Sequence, residues 1–385
     1  MRAIVLSGGG ARGAYEVGLL LALLERAKAG TPFAELVCGT SVGAITGAYL
    51  AAGIDDVGAA SQLEALWSGL AIEDVLAFGP SQVAGLPRLL LGGNRPAGMF
   101  DPSRLGALIE SQVRWDQIAS HVAAGRLRAF TVTATDVRTG APTIFVQRGE
   151  GMPRPDPVGR PVSIVDAHIT HRHVLASAAL PLLFPPVSLD GELYYDGGLK
   201  LNTPLGPAVR LGATALFAAD LVPESGAAEL TGKRYPGAAF LMGKVLSALL
   251  LDRVAGDVDE LNRINQFLAD GEALCGSDFL DRFGELAESR GQPPFHPVRA
   301  FVFRPSEDPA LLAADHISDL RRRLGKISAA RMLLRAIDLA SDQGADLASF
   351  LLFDHGYARD LIDLGRRDGL ARSEDLDAFL ATDPG

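Results

Sequence analysis

Two short apolar runs lie within the first fifty residues, and each ends in a glycine-rich turn that opens a helix. Ala3-Ile4-Val5-Leu6-Ser7 runs into Gly8-Gly9-Gly10-Ala11-Arg12-Gly13, and a helical pattern follows from Ala14 to about Lys28, with Val17, Leu20, Leu21 and Leu24 on one face. Gly30-Thr31-Pro32 ends that helix. Leu36-Val37-Cys38 then turns through Gly39-Thr40-Ser41-Val42-Gly43 into a helix of small residues from Ala44 to Ala52. Strands joined through a helix pair in parallel, so both turns fall at the carboxyl edge of one sheet, where α/β proteins place their sites.

The second turn is a G-x-S-x-G elbow. Glycines two residues either side of Ser41 remove the side chains that would collide with so tight a turn, and the serine hydroxyl is left exposed above the strand. Without supporting residues the same stretch reads as a helix start capped by Thr40 or Ser41. The first turn also has two readings. Its G-x-G-x-x-G spacing fits a dinucleotide loop, which would make the protein a nucleotide-binding regulator. That reading requires a carboxylate closing the next strand, and Leu36-Val37-Cys38 ends in Gly39-Thr40-Ser41 instead. The other use of the loop is an oxyanion hole, in which two backbone N–H groups point at the oxygen of a tetrahedral intermediate. Arg12, the charged residue of the loop, serves either an anionic headgroup or nearby carbonyls.

The 385 residues are 48% hydrophobic, enough for a large core. A formal net charge of −10 argues against general affinity for nucleic acid or an anionic membrane surface. Cys38 and Cys275 are far apart, and Cys38 sits in an apolar run as a small buried residue would. The opening apolar run is too short for a signal-peptide core and no stretch reaches the ~20 apolar residues of a membrane span. A cytoplasmic location follows, with peripheral membrane contact left open.

Residues 79–100 mix apolar side chains with Gly and Pro, as a cover over an apolar pocket or a packed connection would. Strands are expected at Arg128–Thr135 and Pro142–Gln147. His168, His171 and His173 have H-x-x-H-x-H spacing without a nearby cysteine, and no metal is expected there. A helix from His173 is broken at Pro181, and Leu182-Leu183-Phe184 are candidates for an acyl pocket or plain core. Glu192-Leu193-Tyr194-Tyr195 is a strand delivering Asp196 into Gly197-Gly198, either as an Asx-turn or as a base for Ser41.

Gly8 to Gly13, Gly39 to Gly43, Ala176-Ser177-Ala178-Ala179-Leu180-Pro181 with Phe184-Pro185-Pro186, and Asp196-Gly197-Gly198 together resemble, in order and spacing, the patatin-like phospholipases. The resemblance spans residues 3 to about 220. It implies a three-layer α/β/α fold with a mainly parallel central sheet and lipid acyl-hydrolase activity by a Ser–Asp dyad. By motif position Ser41 is the nucleophile, Asp196 the base, and Gly8, Gly9 and Gly10 the oxyanion hole, with Arg12, Gly13, Gly39, Gly43, Gly197 and Gly198 completing the motifs. No cofactor is expected. The expected substrate is a phospholipid, lysophospholipid or other acyl ester, and a thioesterase or acyltransferase would begin with the same acyl-enzyme.

Residues 1–222 are expected to form the catalytic domain and 223–385 a mainly helical region packed on it, with a strand at Val298–Phe303 returning to the sheet. Thr203-Pro204 opens a helix and Ala213 to Ala219 is a strand. Arg321-Arg322-Arg323 reads as a solvated helix face or a lipid contact. Phe350-Leu351-Leu352-Phe353 reads as core or an oligomer surface.

Overall fold

The computed structural model describes residues 1–76, 98, 100–155, 162–223, 243–248, 254–290, 294–323 and 345–383. Most of the 79–100 segment and the side chains of Arg321-Arg322-Arg323 lie outside the described residues.

Among the described residues nine strands make one sheet: β1 (Arg2–Leu6), β2 (Leu36–Thr40), β3 (Ala129–Asp136), β4 (Pro142–Arg148), β5 (Ser163–Asp166), β6 (Val187–Leu189), β7 (Glu192–Asp196), β8 (Ala215–Ala219) and β9 (Arg299–Phe303). Their order is β5-β4-β3-β2-β1-β8-β9, with β7 pairing with β3 and β6. The middle of the sheet, β3-β2-β1-β8-β9, is parallel throughout, while β4, β6 and β7 bring the antiparallel pairings. Helices cover both faces, so β1 and β2 are buried at every position and their side chains divide by alternation. Ile4, Leu6 and Val37 enter one core, and Ala3, Val5, Leu36 and Cys38 the other.

Helix α1 (Gly13–Leu24) is buried at all twelve positions, as its nearly uninterrupted apolar sequence requires. The helix His355–Ala371 crosses it at two glycines: a β-carbon at Gly18 would stand 2.0 Å from the Ile362 carbonyl oxygen, and one at Gly365 2.1 Å from that of Tyr15. The helix stops at Leu24 rather than near Lys28, because Glu25, Arg26 and Lys28 are exposed and offer no apolar face to hold another turn. Arg2 ties the two chain ends together: its guanidinium pairs with the buried Glu35 and donates to the Leu380 carbonyl in the last helix, Ser373–Leu380.

Two short strands, β5 and β6, escape a reading of the sequence: β5 carries no clear alternation, and three alternating residues in β6 are too few to mark a strand. Phe350 to Phe353 are buried, resolving them as interior rather than surface. Among the described residues no helix is long and apolar enough to cross a membrane.

Candidate active site

β2 ends at the elbow with Thr40 opposite Thr133 of β3. β7 runs the other way along the same edge of β3 and ends with Asp196 opposite Ala134, the very next residue. The opposite edge of β3 is taken by β4. Two strands therefore meet head to head on β3, and that register brings residues 155 positions apart into contact.

Ser41 has φ 56° and ψ −126°, a conformation disfavoured for any residue with a side chain. Its neighbours leave no slack. A β-carbon on Gly39 would lie 2.5 Å from the Gly43 carbonyl oxygen, and one on Gly43 2.4 Å from that of Leu6. The Ser41 N–H donates to Ser177 Oγ at 2.8 Å, and the Ser177 hydroxyl donates in turn to the Thr133 carbonyl at 2.5 Å. The strained turn is thus fastened to β3 by a side chain from the helix His171–Ser177.

Ser41 Oγ donates to Asp196 Oδ2 at 2.6 Å. Asp196 is fixed at every polar atom: Oδ1 accepts from Gly198 N at 2.7 Å, its carbonyl accepts from Thr135 Oγ1 at 2.8 Å, and its N–H donates to the Ala179 carbonyl at 2.9 Å. Burial pushes its carboxyl up to about 7, against the pull of the Ser41 and Gly198 hydrogen bonds. Gly197 cannot carry a side chain here, since a β-carbon would sit 2.2 Å from the Thr133 carbonyl oxygen.

The glycine loop lies beside the serine, with the Gly8 β-carbon position 3.0 Å from Ser41 Cβ. Asn202 clamps Gly8 from both sides of its peptide units: its Nδ2 donates to the Gly8 carbonyl at 2.9 Å, and its own carbonyl accepts a long bond of 3.4 Å from Gly8 N–H. Gly10 has φ +57° and faces the Phe350 carbonyl oxygen. Gly13 abuts Val42 and Trp67. Arg12, 2% exposed, points away from the site into the protein, where it bonds Ser349 Oγ at 2.8 Å and Asp346 Oδ1 at 2.9 Å and covers the Phe350 ring. Of its two readings the structure takes the internal one, with side chains as its main partners.

Ser41, Asp196 and Gly10 open into a pocket whose other walls are almost wholly apolar, among them Ile45, Trp67, Ile109, Leu183, Phe184, Leu246, Phe350 and Phe353. Part of this lining comes from residues 345–353, which nothing in the sequence connects to the elbow. Ser177 and Asn202 lie within or beside the motif stretches, yet their roles depend on β3 and the glycine loop being near. His173 bonds Thr170 instead of a metal partner set, and among the described residues no group of three or more His, Cys, Asp or Glu side chains is placed to hold an ion.

The sequence matches the patatin-like phospholipase family over residues 4–209, more than half of the chain. No curated protein matches it. Solved structures that resemble it include VipD from Legionella pneumophila, with 14% identity over 98% of this chain and 67% of that one and a TM-score of 0.37. A complex of full-length SpcU with full-length ExoU, from the type III secretion system of Pseudomonas aeruginosa, matches at 15% identity over 97% of this chain and 77% of that one, with a TM-score of 0.30. By the family match and its helix-flanked, mostly parallel sheet, the chain belongs to the patatin-like phospholipases, whose substrates are lipid esters.

Proposed function

We propose that the protein cleaves acyl esters of phospholipid or lysophospholipid type through an acyl-enzyme on Ser41, with Asp196 as the base. The observation that carries this reading is the 2.6 Å bond from Ser41 Oγ to Asp196 Oδ2 inside an apolar pocket. As Oγ attacks the acyl carbonyl, its proton passes to Asp196 and from there to the departing alkoxide. Water then gives a proton to Asp196, attacks the acyl-enzyme, and Ser41 recovers its hydrogen. The lone carboxylate is a stronger base than an exposed aspartate because burial disfavours its charged form.

The oxyanion formed in each step is assigned to the glycine loop. Ser41 N–H is occupied by Ser177, whereas Gly9 and Gly10 begin a short 3-10 turn (Gly10–Arg12), where the first N–H groups have no partner within the turn. The apolar walls suit an acyl chain.

The test is hydrolysis of a short-chain p-nitrophenyl ester and of a lysophospholipid by wild type, Ser41→Ala and Asp196→Asn, with folding checked by circular dichroism. Both variants are expected to fold and to lose at least about 10³-fold in kcat. Folded variants that retain the activity would overturn the reading. The pH profile adds a second check: Asp196 must be ionised to act, so kcat/KM should climb about tenfold per pH unit below 7 and level off above it. A profile flat from pH 5 to 9 would remove Asp196 as the base.

A further inference from the structure

Glu16 is the single charged residue of α1, and it is buried with no counter-charge among the described residues. Its Oε1 accepts the Ser7 N–H at 2.8 Å, and its Oε2 has no hydrogen-bond partner among the described residues. Burial pushes the carboxyl up to about 8, so at neutral pH Oε2 holds a proton and Oε1 serves as a neutral acceptor. Leaving half a carboxyl unsatisfied in the interior is costly, and an apolar residue at this position of an otherwise apolar helix would avoid the cost. Something about the bond to Ser7 must offset it.

Ser7 is the residue at which the chain leaves β1 for the glycine loop. The Glu16 bond therefore closes a ring spanning residues 7–16 that contains Gly8, Gly9 and Gly10. Three consecutive glycines have the widest conformational choice of any tripeptide, so their path must be imposed from outside. The Ser7 hydroxyl pairs with Thr203 Oγ1 at 2.7 Å and reaches the Ala219 carbonyl at 3.1 Å, while the adjacent Asn202 holds Gly8. One end of the loop is thereby joined to the turn that follows Asp196. A further constraint, from α1 itself, is Glu16.

We propose that Glu16 is a positioning residue for the glycine loop: by accepting the Ser7 N–H it sets the path of Gly8–Gly10 and so aims the Gly9 and Gly10 amides at the acyl oxygen on Ser41. This rests on the acyl-transfer reading given above. Glu16 touches no reacting atom; it acts through the backbone, and as a neutral acceptor it brings no negative charge beneath a site where negative charge develops.

The experiment compares wild type, Glu16→Gln, Glu16→Ala and Ser41→Ala on a short-chain p-nitrophenyl ester, well below the melting temperature of each. Glu16→Gln keeps a neutral carbonyl acceptor and is expected to retain kcat within about threefold. Glu16→Ala is expected to lose kcat by about 10- to 100-fold, short of the full loss of an oxyanion donor, with KM within about twofold. Hydrogen exchange over residues 7–16, read by mass spectrometry, should speed up in Glu16→Ala and stay at the wild-type rate in Glu16→Gln, and this readout needs no activity. A folded Glu16→Ala enzyme with wild-type kcat and wild-type exchange overturns the inference while leaving Ser41 chemistry intact. Loss of kcat in Glu16→Gln equal to that in Glu16→Ala overturns it too, since the neutral acceptor would then not suffice. Hydrolysis that survives Ser41→Ala, or a wild type inert toward the ester, instead overturns the acyl-transfer reading and the role of Glu16 with it.

Discussion

Residues 2–52 and residues 345–371 meet at the same site and hold it by different means. The first stretch works through its own backbone: two strands, two tight turns and a strained serine, each dictated by glycines close in sequence. The second contributes no motif. It presents the Phe350 carbonyl to Gly10 and Gly365 to the backbone of Tyr15 by close packing, and Asp346 to Arg12 as an ion pair. The glycine loop is thus built by local chemistry and braced by segments more than three hundred residues away. Loop geometry comes from one region, and much of its rigidity from the other.

The strongest brace is electrostatic, and Asp346→Ala is the change that tests it. Asp346 also accepts from Lys244 and Ser247, but Arg12 is the partner that is buried. Removing the carboxylate leaves a buried guanidinium with Ser349, the Leu221 carbonyl and the Phe350 ring as its partners among the described residues, and should cost about 3 kcal/mol in denaturant midpoint measurements. The double change Arg12→Met with Asp346→Leu should recover a large part of that, because well-packed apolar groups replace the pair without stranding a charge. A loss under about 1 kcal/mol for Asp346→Ala would place the pair with ordinary surface ion pairs and break the comparison.

That division also explains what the sequence discloses. β1, the glycine loop, β2, the elbow and the strand carrying Asp196 are legible because each depends on residues within a few positions of one another. The contact of Ser41 with Asp196 is not local. It requires β2 and β7 to abut on β3, a consequence of sheet register that alternation in any one strand cannot reveal. Ser177, Asn202 and Arg12 stand in or beside readable stretches, but their partners are Ser41 and Thr133, Gly8, and Asp346 with Ser349, which only the assembled fold brings near. Glu16 had a signal, a carboxylate set between Tyr15 and Val17 in an apolar helix, though not a partner.

Gly365→Ala probes the second brace. The added methyl would be driven against the Tyr15 carbonyl at 2.1 Å, so α1 and the helix His355–Ala371 must separate. Overpacking of this kind costs about 2 kcal/mol, a smaller effect than stranding Arg12. Since α1 carries Glu16 and starts beside the loop, a fall in kcat accompanying the loss of stability would show that the distal helix helps hold the site. Unchanged kcat would confine it to stability.

The turn at Leu182 belongs to neither region and provides a contrasting case of strain. Leu182 has φ 71° and is 59% exposed, while its neighbours Leu180 and Leu183 line the pocket. Unlike Ser41, whose hydroxyl bonds Asp196, it gains no side-chain hydrogen bond for its conformation, because a leucine has none to make. Replacing it with glycine removes a penalty of about 1–2 kcal/mol for a β-carbon in the left-handed region. The unfolded chain gains freedom worth about 0.5–1 kcal/mol, which opposes the first term. The difference, about 0–1.5 kcal/mol, favours the variant, so Leu182→Gly should stabilise the protein by up to about 1.5 kcal/mol in chemical denaturation. A destabilised variant would mean that the leucine side chain holds the pocket rim in place, and the turn would then join residues 345–371 as a brace made by packing.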